Sequence, residues 1–266
     1  MENAASPYFG GPKIRALQEA RDKQVGELSD LPGAVIHGRV FSSDDPDALG
    51  WSRIREVMAE EGMVSLRGVD NATLSRACEE LAEFEPVVHR WDMFMADVHS
   101  LRAACVPNAS APLAEGLFHT PKSEMTSDLV HEVQHFLSEQ GVSPFSKDAL
   151  MGRLFPARLL VLQHSDGRIA AAGFAAMTHN RHSPFFNVAW VGLIAVDPEL
   201  RGLGLGKQVD AMSNLVALDE LGASATMEFV AQDNAPSRAM LESCGLRNVE
   251  GKTVVVLSKS ADRISR

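Results

Sequence analysis

Apolar positions along this chain follow two periods, one of about 3.6 residues and one of 2. Residues 12–28, PKIRALQEARDKQVGEL, repeat at helical spacing behind Pro12, which suits a first helical turn. GAVIHGRVFS (33–42) predicts a strand, DALGWSRIREVMAEEG (47–62) a helix ending at Gly62, and MVSLRGV (63–69) a short strand. NATLSRACEELAEF (71–84) places Leu74, Ala77, Cys78 and Leu81 on one helical face, with Asn71 as its N-cap. PVVHRWDMFMAD (86–97) predicts a third strand, so residues 30–97 carry a β-α-β-α-β rhythm and form a small α/β unit.

Residues 98–114, with Pro107, Asn108, Ser110 and Pro112, predict a connector. The pattern then restarts. LFHT (117–120) is a short strand, residues 123–140 a helix stopped at Gly141, and 146–154 a second helix. ARLLVLQHSDGRIAAAGFAAMTH (157–179) predicts two strands about the turn Ser165, Asp166, Gly167. FFNVAWVGLIAV (185–196) is the longest apolar strand, followed by a glycine stretch and a helix over 204–221. A strand (224–232), a helix (235–245) and a last strand (252–259) complete the chain. The expected organisation is an N-terminal α/β region at 1–110, of unknown role, and a second domain at 115–262.

Composition narrows the possible functions. With 266 residues there is ample material for a core, and a formal net charge of -10 argues against a nucleic-acid partner. No apolar run has the length of a membrane span, and the first residues lack a signal-peptide pattern. Cys78, Cys105 and Cys244 are far apart, make no zinc pattern and suit reduced thiols. These features predict a cytoplasmic protein with no membrane partner and no bound metal. A homodimer is the default assembly.

The candidate chemistry lies in LIAVDPELRGLGLGKQVDAM (193–212). A buried strand, a glycine turn and a helix start together make an anion site. The first N–H groups of a helix have no internal acceptor, and its dipole favours negative charge there. Gly202, Gly204 and Gly206 carry no side chain to hold a ligand away, and Arg201 adds a charge able to fork onto phosphate oxygens. The nucleotide P-loop does not fit, because Lys207 is followed by Gln208. The dinucleotide fingerprint lacks its third glycine and would sit after a hairpin.

The stretch Arg201, Gly202, Leu203, Gly204, Leu205, Gly206 resembles the [RQ]xxGx[GA] signature of the Gcn5-related N-acetyltransferase (GNAT) superfamily. Downstream, DNAPSRAMLESCGL (233–246) is similar to that superfamily's second motif, matching at Asn234, Ser237, Gly245 and Leu246. The order of elements from 115 to 258 matches too. The resemblance implies a GNAT fold: a mixed, mostly antiparallel central sheet flanked by helices, here preceded by the smaller α/β region. It implies acetyl-CoA, or another acyl-CoA, as cofactor. Backbone groups of Ile194, Ala195 and Val196 would then meet the pantetheine arm. Arg201, Gly202 and the N–H groups of Leu203, Gly204, Leu205, Gly206 and Lys207 would cradle the pyrophosphate, and Asn234 and Ser237 would touch the cofactor nearby. For Asn234 the plain alternative is a helix N-cap, a role compatible with the first.

The departures from the family pattern concern proton transfer. Where many members carry a Glu on the fourth strand, this chain has Trp190 and Val191; where many carry a Tyr, it has Leu241. Glu228, in TMEFV, is the candidate catalytic base, against the alternative of an outward carboxylate at a sheet edge. His179, His182, Ser243 and Cys244 are further candidates, with surface-loop or core roles as alternatives. Trp190 either shapes an apolar acceptor pocket or is plain core. Acidic clusters at 42–47 and 79–85 read as solvated faces, or as a field favouring a cationic acceptor. Two functions follow. One is an N-acetyltransferase moving an acetyl group to a primary amine of a small molecule or protein; the other is a non-catalytic acyl-CoA-binding or sensing module.

Overall fold

The computed structural model describes residues 6–260. Helix α1 (Pro12–Leu28) leads to two short strands, β1 (Ala34–Val35) and β2 (Ser42–Ser43). One turn of helix, α2 (Pro46–Leu49), runs into α3 (Trp51–Glu61), which stops at Gly62 in the left-handed region, φ 76°. β3 (Met63–Val69), α4 (Asn71–Glu80), β4 (Val87–Asp97) and α5 (Val98–Ala109) complete the first half. The second half runs β5 (Leu117–His119), α6 (Ser127–Glu139), α7 (Lys147–Leu150), β6 (Ala157–His164), β7 (Ile169–Ala176) and β8 (Val188–Val196). It ends with α8 (Leu205–Asp219), β9 (Ala225–Val230), α9 (Ala235–Ser243) and β10 (Arg247–Ser258).

Four local expectations change, each for a physical reason. The strand expected over 33–42 pairs only at its two ends. In its middle the His37 Nδ1 accepts N–H bonds from Arg39 and Val40, both 3.1 Å, a side-chain turn that replaces ladder pairing. There Gly38 lies against the Phe145 ring, so close that a Cβ would sit 2.2 Å from its Cγ. The connector expected over 98–114 is largely helix α5. Asp97 caps it through the Ser100 N–H at 2.8 Å, and Leu101 and Cys105 bury completely on one face. That packing outweighs Pro107, which falls in the last turn. Asp70, not Asn71, caps α4, accepting from the Thr73 N–H at 2.9 Å. The helix expected over 146–154 stops at Leu150. Gly152 turns left-handed, φ 68°, with its Cα pressed against the Ala157 carbonyl.

All strands join one ten-stranded sheet, in the order β1-β2-β3-β10-β4-β9-β8-β7-β6-β5. Only two joints are parallel, β2 with β3 and β8 with β9. The halves exchange strands. β10, last in the chain, lies between β3 and β4, while β4 lies between β10 and β9. Consecutive strands β9 and β10 are therefore not neighbours. Successive side chains of a strand face opposite sides, so Trp190 joins the layer containing Ile54, Leu66, Val133 and Phe145. Val191 joins the layer beneath α5, α8 and α9, with Leu101, Ala211 and Leu241. The sheet curls. The Ile36 N–H donates to the Thr178 carbonyl at 2.8 Å and Val35 bridges His179, which folds the first strands over the end of β7.

Candidate active site

The site begins where two parallel strands part. β8 pairs with β9 only from Val188 to Trp190, opposite Ala225 to Met227. Beyond Trp190 no pairing with β9 continues, while β7 still holds the far side of β8 at Ala195 and Val196. At the parting β8 carries one extra residue: Ala172 faces Ala195, but Phe174 faces Gly192. Leu193 takes up that bulge with φ 54°, a conformation unfavourable for leucine. The bulge turns the backbone near Leu193 and Ile194 out of the ladder, leaving main-chain donors and acceptors there for a ligand.

The glycine stretch stands at one end of this gap. Gly202 and Gly204 have φ of 83° and 82°, and a Cβ on either would meet no other atom within 4 Å. The backbone path, not crowding, requires glycine at both positions. Gly204 is the N-cap of α8, and the first intrahelical bond runs from the Gln208 N–H to the Gly204 carbonyl at 3.1 Å. The amides of Leu205, Gly206 and Lys207 therefore have no acceptor within the helix. Arg201, Gly202, Leu203 and Gly204 are all exposed; the Arg201 Nη2 donates to Gln140 Oε1 at 2.9 Å. An open, glycine-rich turn of N–H groups beside an exposed cation fits a pyrophosphate.

Toward the interior the gap opens into a cavity of about 210 Å³. Ile194, Asn234 and Ser237 line it, as does Met240, whose Sδ would lie 3.5 Å from a Cβ on Gly206. Met240 thus links the glycine turn to the cavity, lying beside the one and lining the other. Ala195 is buried in the core and Val196 packs beside Gly206. Asn234 Oδ1 accepts from the Ser237 N–H at 3.2 Å, so it does cap α9, and its amide group stays at the cavity.

Glu228 is not an outward carboxylate at an edge. β9 lies between β4 and β8, and Glu228 is 3% exposed at the cavity wall. Asn214 of α8 donates to Glu228 Oε1 at 3.0 Å and to Asp210 Oδ1 at 3.4 Å, and accepts from Thr226 Oγ1 at 2.5 Å. Burial raises the proton affinity of both carboxyls: Asp210 is pushed up to about 6, and Glu228 rises well above the ordinary range, with the Asp210 charge adding to it. Asp210 thus strengthens the hold of Glu228 on a proton.

The other candidates fall elsewhere. Cys244 is buried in the core; hydrogen bonding with Cys105 and burial raise its thiol, which disfavours a reactive thiolate. Ser243 donates to the Met240 carbonyl at 2.6 Å, a helix-end bond. His179 is no surface residue: it is 4% exposed, and burial, then the Arg67 charge, lower it to about 3. His182 faces Asp30 at 3.7 Å, away from the cavity. The acidic clusters face outward except at Asp44, which is turned inward and bonded to Ser183. Asp47 pairs with Arg76 and Glu80 with Arg55. Trp190 is 9% exposed and lines the cavity; its ring lies over Gly192, where a Cβ would come within 2.5 Å of its Cζ2.

The N-terminal half supplies cavity residues that the sequence reading missed: His37, Arg39, Ser65, Arg67 and Trp91. One signal was available. MVSLRGV reads as a fully buried strand, and an arginine in such a strand calls for a reason.

Comparison with known proteins agrees with this geometry. Residues 130–246 match the model of the acetyltransferase (GNAT) family. No curated protein matches the chain. A Drosophila protein of known X-ray structure is 16% identical, with a TM-score of 0.59, covering 92% of this chain and 89% of that one. A GCN5-related N-acetyltransferase from Kribbella flavida is 14% identical, TM-score 0.55, covering 96% and 98%. A tandem GNAT protein from the clavulanic acid biosynthesis pathway is 14% identical, TM-score 0.53, covering 91% and 89%. At such identities the likeness is one of fold. The second half of the chain carries a GNAT acetyltransferase domain, and the mixed, mostly antiparallel sheet is a GNAT fold.

Proposed function

We propose that this chain is an N-acetyltransferase that moves an acetyl group from acetyl-CoA to a primary amine held in the cavity. The observation that carries this reading is the left-handed glycine turn, one Met240 side chain away from a cavity that Glu228 walls at the parting of β8 and β9. The amides of Leu205, Gly206 and Lys207 would hold the pyrophosphate, with Arg201 alongside. The unpaired edge of β8 at Ile194 and Val196 would hold the pantetheine arm, and Asn234 and Ser237 would close over it.

Acetyl-CoA supplies the activated acyl group. The chain's own residues do the rest. The cavity walls hold the amine against the thioester carbon, which removes the entropy cost of the encounter. A main-chain N–H at the Leu193 bulge polarises the carbonyl oxygen. The amine nitrogen bonds to the acyl carbon as the carbon–sulfur bond breaks. Glu228, coupled to Asp210, takes the proton the amine loses, and the sulfur leaves as the thiol after gaining a proton. The products are the N-acetyl amine and CoA. Placing Glu228 at the cavity favours this enzyme over a binding module, because a carboxylate with raised proton affinity stands where the usual Glu and Tyr are missing.

The test is calorimetric titration of acetyl-CoA into the protein and into Gly204→Glu. That substitution strains a left-handed position and puts a negative charge at the pyrophosphate site. Micromolar binding to the parent, weakened at least about 100-fold in the variant, is expected from the loss of charge-assisted hydrogen bonds. No binding, or equal binding by both, overturns the reading.

A further inference from the structure

The cavity wall contributed by the N-terminal half holds two cations without an anion. Arg39 comes from the turn between β1 and β2, Arg67 from the middle of β3, and they are 6% and 3% exposed. The Arg39 Nη1 donates to the Ser143 carbonyl at 2.7 Å, and its guanidinium lies 5.2 Å over the Phe145 ring. Arg67 has a long contact, 3.5 Å, to Thr178 Oγ1, and lies over the rings of Trp190 and Phe229 at 5.8 and 5.3 Å. The Nε of each is buried without a partner, and among the described residues neither arginine forms an ion pair.

Burial lowers Arg39 to about 10, and burial with the Arg39 charge lowers Arg67 to about 9, so both are cations at neutral pH. Asp44 offsets part of the charge on Arg67, and is itself hydrogen-bonded to Ser183. The positive charge of the two arginines is thus offset only in part. His37 adds a neutral donor. Its Nδ1 accepts two backbone N–H bonds, which leaves the proton on Nε2, and burial with the nearby arginines keeps the ring from gaining a second. Buried guanidinium groups with open donors in one cavity wall are costly unless an anion meets them. The cofactor's phosphates are not that anion, since their cradle is at the glycine turn.

Surrounding rings leave an apolar box with one polar corner. Trp190, Phe145 and Phe229 line the arginines' side of the sheet, and the parting of β8 and β9 opens into the same cavity. Resting on the acyl-transfer reading above, we propose that the acceptor amine also carries a carboxylate, as an amino acid does. Arg39 and Arg67 grip that carboxylate while the amine reaches the parting of the strands. A carboxylate answers the uncompensated positive charge, and the fork of a guanidinium matches its two oxygens.

The test pairs acids with their amides. Six N-acetyl-L-amino acids (of glycine, alanine, leucine, phenylalanine, glutamine and aspartate) and the matching N-acetyl amides stand for product. They are titrated while the fluorescence of Trp91 and Trp190, both at the cavity, is followed. At least one acid is expected to bind tenfold or more tighter than its amide. Arg67→Met and Arg39→Met should erase that preference, Arg67→Lys should keep part of it, and acetyl-CoA affinity should stay within about threefold in all three. CoA-thiol release with the free amino acids and their amides should show the same order. If every acid and amide pair binds alike or not at all, or if the preference survives both methionine variants, the proposal is overturned. Tighter binding of O-phosphoethanolamine or inorganic phosphate than of any acid overturns the carboxylate assignment. If a variant fails to fold, the acid and amide comparison on the parent protein still decides. The fluorescence arm needs no acyl transfer, so failure of acetyl-CoA to bind would count against the enzyme reading alone.

Discussion

Two buried charge clusters of opposite sign wall the same cavity, and they are built differently. The acidic cluster belongs to the second half. Asp210 and Glu228 share the amide of Asn214, which Thr226 holds in turn, so the network is joined within the protein except at Asp210 Oδ2, which has no partner. The basic cluster belongs to the first half. Arg39 and Arg67 rest on aromatic rings and leave donors open. Carboxyls joined by one amide are held by the protein itself, whereas cations resting on rings leave donors to a ligand. On the function proposed above, the contrast divides the labour: one half would hold the cofactor and move the proton, and the other would read the acceptor.

The sharpest way to break this comparison is Glu228→Gln. The amide keeps the shape and the Asn214 contact but cannot take a proton, so kcat should fall by roughly 10²-fold or more. Acetyl-CoA affinity, read by calorimetry, should not change. An unchanged kcat would remove Glu228 from the chemistry.

Asn214→Ala strips the donors that join the acidic network. Two buried carboxyls and Thr226 lose their partner, and chemical denaturation should show a loss of about 3 kcal/mol. A loss below about 1 kcal/mol would mean the network is as open as the basic one.

Acid stability probes the basic wall through His179. Burial and Arg67 hold its folded pKa near 3, against about 6.5 unfolded. The unfolded chain therefore takes up the proton first as pH falls. The stability His179 contributes is present above pH 6.5 and is lost progressively toward pH 3. Asp22 and Asp210, raised to about 6, act in the opposite sense: their contribution is full below about 3.8 and lost as pH rises through 6. In His179→Gln the loss between pH 7 and pH 5 should shrink by up to about 2 kcal/mol. Parallel Tm curves for the two proteins would refute this.

The smallest effect is the most telling. Arg67→Met removes a buried cation that the protein neutralises only in part, so unliganded stability should hold or rise by about 1 kcal/mol. That is a Tm gain of about 2 °C, with the lost attraction to Asp44 working against it. A large loss of stability would show that Arg67 is already satisfied in the free protein.

Several features were legible along the chain because their causes are local. Alternation and helical spacing located β3, the β6–β7 hairpin, β8 and α8. The glycines at 202, 204 and 206 announced a turn before a helix; the structure adds that Gly202 and Gly204 are left-handed, with φ of 83° and 82°. Local causes also misled. Pro107 and its polar neighbours read as a connector, but Leu101 and Cys105 had a core to bury in, which residue order alone does not display.

What the tertiary structure alone decided is who meets whom. Nothing in residues 247–258 says that the last strand will lie between β3 and β4, because strand partners are chosen by faces far apart in the chain. That exchange makes β9 an interior strand, turns Glu228 from an edge carboxylate into a cavity wall, and brings Arg67 over Trp190. A side chain's identity is written at its own position. Its pKa, its partner and its access to a ligand depend on burial, and burial is set by neighbours that only the folded chain supplies.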